Sequence, residues 1–236
     1  MPARSASERR GATRTAVVWD ALRPALEGSA CNVLDIGGGT GGFAVRVAEL
    51  GHRVTVVDPS PDALAALDRR AREIGVQVTG VQGDIDGLAG LVEGADVVLC
   101  HGVLEVVDDP AAALATIRGV LRPGGTLSLL LAQRHAAVVA RAMAGHFPQA
   151  LALLDGDAPS GRSGHRFTAA EATRLLADAG FEVTTVHGIR VFADLVPGSL
   201  LDLEPGATAA LVELERAVSE RPEYLPLATQ LHLLAR

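Results

Sequence analysis

Apolar and polar positions follow two rhythms along the 236-residue chain. Short apolar runs of strand length fall at 31–36, 53–57, 77–82, 95–100 and 126–131, and segments with helical spacing separate them at 42–50, 61–74 and 110–121. Pro61 and Pro110 open two of these helices, since the fixed φ of proline suits a first helical position. The run Arg122-Pro123-Gly124-Gly125 stops the third. Strand and helix in alternation predict an α/β fold with a parallel sheet covered on both faces. After residue 135 the rhythm changes to an alanine-rich apolar helix and then a Gly/Asp/Ser/Pro loop at 155–164, read as an insertion over the sheet. A Thr-x-x-Glu capping box at Thr168 and Glu171 starts a helix over 168–179. Strands at 181–187 and 230–234, with a helix at 208–219 between them, bring the expected total to seven.

Composition removes several chemistries. All 21 basic residues are arginine, so no Schiff-base lysine, pyridoxal phosphate anchor or phosphate-loop lysine exists. The lone Tyr224 and the missing lysine also exclude the Tyr/Lys pair of short-chain dehydrogenases. The longest strongly apolar run, 127–132, is interrupted by Ser128 and is far below the ~18 residues of a membrane span. No apolar run follows Arg4, Arg9 and Arg10 as in a secretory signal. Cys31 and Cys100 are expected as reduced thiols in a cytoplasm. The net charge of −7 argues against broad, non-specific nucleic-acid binding, although Arg4, Arg9, Arg10 and Arg14 make the N-terminal segment locally basic.

The candidate chemistry centres on Asp35-Ile36-Gly37-Gly38-Gly39-Thr40-Gly41-Gly42, a glycine-rich turn between strand and helix that lets backbone approach a cofactor closely. Gly37, Gly39 and Gly42 satisfy a nicotinamide-type spacing; Gly37, Gly39 and Gly41 satisfy the Asp-x-Gly-x-Gly-x-Gly of S-adenosylmethionine enzymes. Asp35 favours the second, because a carboxylate there repels a pyrophosphate but accepts from the amino group of a methionine moiety. Asp58 ends the second strand, where a carboxylate can take both ribose hydroxyls. Gly83-Asp84-Ile85 ends the third, where it can read an adenine. Each aspartate alone is compatible with ordinary turn chemistry; the three strand ends together form one ligand-shaped set.

Through 34–42, Asp58, 83–85 and the turn at 121–125, the chain resembles class I S-adenosylmethionine-dependent methyltransferases. More narrowly, Val18-Trp19-Asp20, His101-Gly102-Val103-Leu104-Glu105, Ala142-Met143-Ala144-Gly145-His146-Phe147 and Gly188-Ile189-Arg190-Val191-Phe192 resemble the bacterial tRNA 5-carboxymethoxyuridine methyltransferases. The resemblance implies a Rossmann-like seven-stranded, mostly parallel sheet with helices on both faces and an antiparallel last strand. It implies a single domain: an N-terminal helical cover at 1–28, a cofactor-binding core at 29–135, a substrate-side cap at 136–180, and C-terminal strands and helix at 181–236. It places cofactor contacts at Arg14, Gly37, Gly38, Asp58, Asp84, Ile85 and His101, beside Asp35, Gly39 and Gly41 of the motif. The family methylates the side-chain carboxylate of a modified wobble uridine, so tRNA is the expected partner and Arg190 the expected clamp for the acceptor's carboxylate. His101 is expected near the transferred methyl, as a base or as cofactor packing; a semi-buried structural histidine is the plainer alternative.

Two departures concern the acceptor. Where the family often carries a basic run suited to tRNA phosphates, this chain has Leu153-Leu154-Asp155-Gly156-Asp157, then Arg162, His165 and Arg166. Ala132-Gln133 replaces an aromatic and an asparagine. A small-molecule carboxyl or O-methyltransferase is therefore the alternative, ahead of a nicotinamide-dependent oxidoreductase or a non-catalytic cofactor-binding module. A carboxylate acceptor is already ionised at neutral pH and needs no base; a hydroxyl or amine would turn to His101 or His135.

Overall fold

A computed structural model describes residues 15–92, 94–154, 164–201 and 205–236. Its seven strands are β1 (Asn32–Ile36), β2 (Arg53–Asp58), β3 (Thr79–Gln82), β4 (Ala95–His101), β5 (Leu121–Ala132), β6 (Val183–Ile189) and β7 (Gln230–Ala235), in sheet order β3-β2-β1-β4-β5-β7-β6. The first five pair in parallel with one another. Reciprocal bonds between the Glu182 and Arg236 backbones, at 2.8 and 2.9 Å, mark the antiparallel end of the sheet. The helices are α1 (described part 15–22), α2 (Ala44–Glu49), α3 (Pro61–Ile74), α4 (Pro110–Val120), α5 (Arg134–Met143), α6 (Phe147–Leu154), α7 (Ala169–Asp178), the short α8 (Gly198–Leu201) and α9 (Ala207–Val218).

The described residues group into two compact units. One falls within Pro24–Leu130, Ala172–Thr184 and Leu233–Arg236, and the other within Met1–Arg23, Leu131–Glu171 and Thr185–His232. In the first, β1, β2 and β4 are almost wholly buried because parallel strands are covered on both faces. Val45, Leu67, Leu114, Ile117 and Leu176 supply apolar cover from the helices. In the second, Val191, Val218 and Ala228 form a small core with Phe192 and Tyr224 against it.

Local signals act where the sequence places them. The Ser60 hydroxyl accepts from the Ala63 N–H at the start of α3, and the Asp109 carboxylate accepts from Ala111 and Ala112 at the start of α4. The Thr168/Glu171 box closes in both directions, at 2.8 and 3.2 Å. Three segments differ from expectation. The turn at 122–125 does not precede β5 but interrupts it: Leu121 pairs with Ala95 and Thr126 with Val97, with the proline and glycines bulged between. The expected single helix after 135 is two, broken at Gly145 with φ +76°. Phe181 is absorbed by the end of α7, its N–H donating to the Leu176 carbonyl, so β6 begins at Val183.

Candidate cofactor and active site

Four strands of the first unit, β1 to β4, end at one cavity. Gly37, directly after β1, donates its N–H to the Val57 carbonyl of β2 at 2.8 Å, and Gly102, directly after β4, donates to the Leu130 carbonyl of β5 at 2.9 Å. The strand ladders thus run to the edge of a cavity of about 510 Å³. Gly37, Asp58, Asp84, Ile85 and His101 all line it, with Val103 and Asp109 among their neighbours.

The glycine loop and Asp58 form one hydrogen-bonded unit. Gly39, at φ +55°, aims its N–H at Asp58 Oδ2, 2.9 Å away, while Oδ1 accepts from the Ser60 N–H at 2.9 Å. Each oxygen keeps a lone pair for a ligand. Asp35 is not on the cavity wall; it is buried beneath the loop, and a Cβ added to Gly38 would lie 2.5 Å from its carboxylate. Only glycine fits there without displacement. Burial pushes the Asp35 carboxyl up to about 7, with a smaller contribution from the negative charge of Asp58. The exposed Asp84 accepts from the Gly87 N–H at 3.2 Å, which shapes the turn after β3, and Ile85 is buried beside it.

His101 ends β4. Its Nε2 lies 2.9 Å from the hydroxyl of Ser128, a fully buried residue of β5, and the edge of its ring meets Phe43 with centroids 4.9 Å apart at 79°. Neither contact was anticipated, although a serine inside an apolar strand was the available signal. Gly39 and Gly41, at φ +55° and +77°, shape the loop but are not on the cavity wall.

A methyltransferase-domain family model matches residues 33–125. Over 96% of this chain and 89% of the relative, the sequence is 30% identical to the tRNA 5-carboxymethoxyuridine methyltransferase of Escherichia coli (strain K12). The chain belongs to the class I S-adenosylmethionine-dependent methyltransferases. The methyltransferase is also 32% identical to the ubiquinone biosynthesis O-methyltransferase of Xanthomonas axonopodis pv. citri (strain 306), over 70% of this chain and 68% of that one. Among solved structures, magnesium protoporphyrin IX methyltransferase from Synechocystis PCC 6803 with bound SAH is similar at a TM-score of 0.62 and 18% identity, covering 96% of this chain and 82% of that chain. An S-adenosylmethionine dependent methyltransferase from Mesorhizobium loti gives 0.60 and 22%, covering 95% and 99%. These structural likenesses speak for the fold. The methyltransferase uses S-adenosylmethionine, and among the described residues no helix is long and apolar enough to cross a membrane.

Arg14 falls outside the described residues. Arg190 belongs to the second unit, directly after β6, and at φ +58° it is the non-glycine residue with positive φ among the described residues. Its Nε lies 3.4 Å from Asp194 Oδ2, and its carbonyl accepts from the Thr229 hydroxyl at 3.1 Å. The same stretch holds an unanticipated anchor. Glu215 of α9, fully buried, accepts the N–H groups of Val191, Phe192 and Ala193 at 2.7–2.8 Å.

Proposed function

We propose that the methyltransferase converts the side-chain carboxylate of 5-carboxymethoxyuridine in tRNA to its methyl ester. The observation that carries this reading is the reach of the likeness to the Escherichia coli enzyme, 96% of this chain, against the 33–125 span of the general methyltransferase domain.

The cofactor fits the residues at hand. A cavity of about 510 Å³ is of nucleoside-ligand size, and Asp58 presents a carboxylate oriented by two backbone donors, suited to a pair of ribose hydroxyls. Asp84 and Ile85 would hold the adenine, and the turn Gly37-Gly38-Gly39-Thr40-Gly41 over Asp35 the methionine portion, with Arg14 on its carboxylate. When bound, the cofactor supplies the electrophilic methyl group and its own leaving group. The protein's part is alignment, which accounts for roughly 7–11 kcal/mol of barrier lowering when reacting groups are held near attack distance. A carboxylate acceptor arrives ionised, so His101, fixed by Ser128 and Phe43, acts by orientation rather than by proton transfer. Arg190 would bind the acceptor's carboxylate by exchanging it for Asp194.

A second reading, a small-molecule carboxyl or O-methyltransferase, is favoured by the net charge of −7, which offers little attraction to tRNA phosphates. The deciding experiment is nucleoside analysis of tRNA after incubation with the purified enzyme and labelled S-adenosylmethionine. The tRNA comes from a strain that makes carboxymethoxyuridine but not its ester. Labelled methyl ester supports the tRNA reading. Unlabelled tRNA together with label on added small carboxylates or phenols supports the second.

A further inference from the structure

The second unit contains a cavity of its own, about 570 Å³, beside α5. Its wall is largely apolar, with Ala136, Val139, Ala140, Met143, Leu195 and Leu227. Most of its polar groups are already engaged within the chain. The Gln133 amide donates to the Leu225 carbonyl at 2.6 Å and its oxygen accepts from the His135 N–H at 2.6 Å. Asp194 accepts from the Thr229 hydroxyl at 2.7 Å, and Arg190 offsets its charge. Arg141 and Arg166, by contrast, line the cavity with no side-chain hydrogen bond or ion pair among the described residues. Two uncompensated guanidiniums beside an apolar wall, in a chain of net charge −7, form a site complementary to an anion with an apolar body.

We propose that this cavity binds a small amphipathic carboxylic acid, its chain against Ala136, Ala140, Leu195 and Leu227 and its carboxylate on Arg141 and Arg166. The proposal concerns binding within this unit and does not depend on the identity of the methyl acceptor. A competing occupant is an anionic membrane surface, because Met143, Phe147, Leu151 and Leu154 on α5 and α6 are more than half exposed.

The test is calorimetry on the full chain with decanoate, decanol and decyltrimethylammonium, all kept below their micellar range. Saturable one-to-one decanoate binding is expected, weakened at least about tenfold in the alcohol, the cation and the Arg141→Gln/Arg166→Gln variant, since each loses charged hydrogen bonds between carboxylate and guanidinium. Ala140→Trp, which fills the cavity and keeps both charges, should abolish binding. S-adenosylhomocysteine affinity, which rests on other residues, is expected to be unchanged in both variants and serves as the folding control. The proposal is overturned if the three probes bind alike, if the arginine variant or Ala140→Trp binds decanoate normally, or if decanoate does not bind. Sedimentation with phosphatidylglycerol vesicles in that last case assigns the surface to lipid instead.

Discussion

Asp35 of β1 is paired in register with Val56 of β2, two residues before Asp58, and the buried carboxyl of Asp35 is raised to about 7 by burial first and by the charge of Asp58 second. An acid whose folded-state value lies above its unfolded value near 3.8 binds more protons when folded. Between about pH 4 and pH 7 it therefore removes stability as pH rises. Asp35→Asn abolishes this ionisation. Its melting temperature should exceed that of the wild type at pH 8, by the equivalent of a few kcal/mol at most, and the gap should narrow as pH falls toward 5. A gap that stays constant with pH would show that Asp35 ionises normally.

Asp58→Ala removes the acceptor for two backbone N–H groups and the proposed partner of the ribose hydroxyls. Affinity for S-adenosylhomocysteine should fall at least about tenfold, with a loss of stability of about 1–2 kcal/mol from the unmet donors. Calorimetry and urea unfolding measure the two effects separately; undiminished cofactor affinity would refute the site assignment.

Glu215 carries a different kind of weight. Truncation to alanine leaves the N–H groups of Val191, Phe192 and Ala193 without their acceptor in a buried place, so Glu215→Ala should cost on the order of 3–5 kcal/mol in urea unfolding. Glu215→Gln, which retains one oxygen acceptor, should lose less.

Arg190 combines a strained backbone with a charged head. Arg190→Ala should leave S-adenosylhomocysteine affinity intact while lowering turnover of a carboxylate acceptor. Arg190→Gly loses the same guanidinium but relieves the positive φ, and should be more stable than the alanine variant by about 1 kcal/mol. Equal stability of the two in thermal unfolding would argue against strain at this position.

The sheet and its cofactor edge were legible because their determinants are local: an apolar run, then a glycine or aspartate at its end, repeated at Gly37, Asp58 and Asp84. Parallel strands bring those ends to one side whatever the intervening helices contain. What stayed hidden depends on residues far apart in sequence. Ser128 meets His101 only through the β4–β5 register, and Glu215 reaches residues 191–193 only through the packing of α9. The pairing of Arg190 with Asp194 is short in sequence, yet it accompanies a positive φ that no pattern of residue types reveals for an arginine. The break between α5 and α6 escaped for a related reason: Gly145 within an alanine-rich run reads as tolerated until its φ is known.

The glycines that follow β1 and β4 are rungs of the sheet as well as edges of the cavity. Their amide hydrogens should therefore exchange with solvent only when the sheet itself opens, as slowly without ligand as with it. The Gly87 amide, bonded only to the exposed Asp84 carboxylate, should exchange quickly in the free enzyme and slow when the cofactor binds. The floor of the site thus belongs to the slowest-opening part of the molecule, and only its rim has order left to gain.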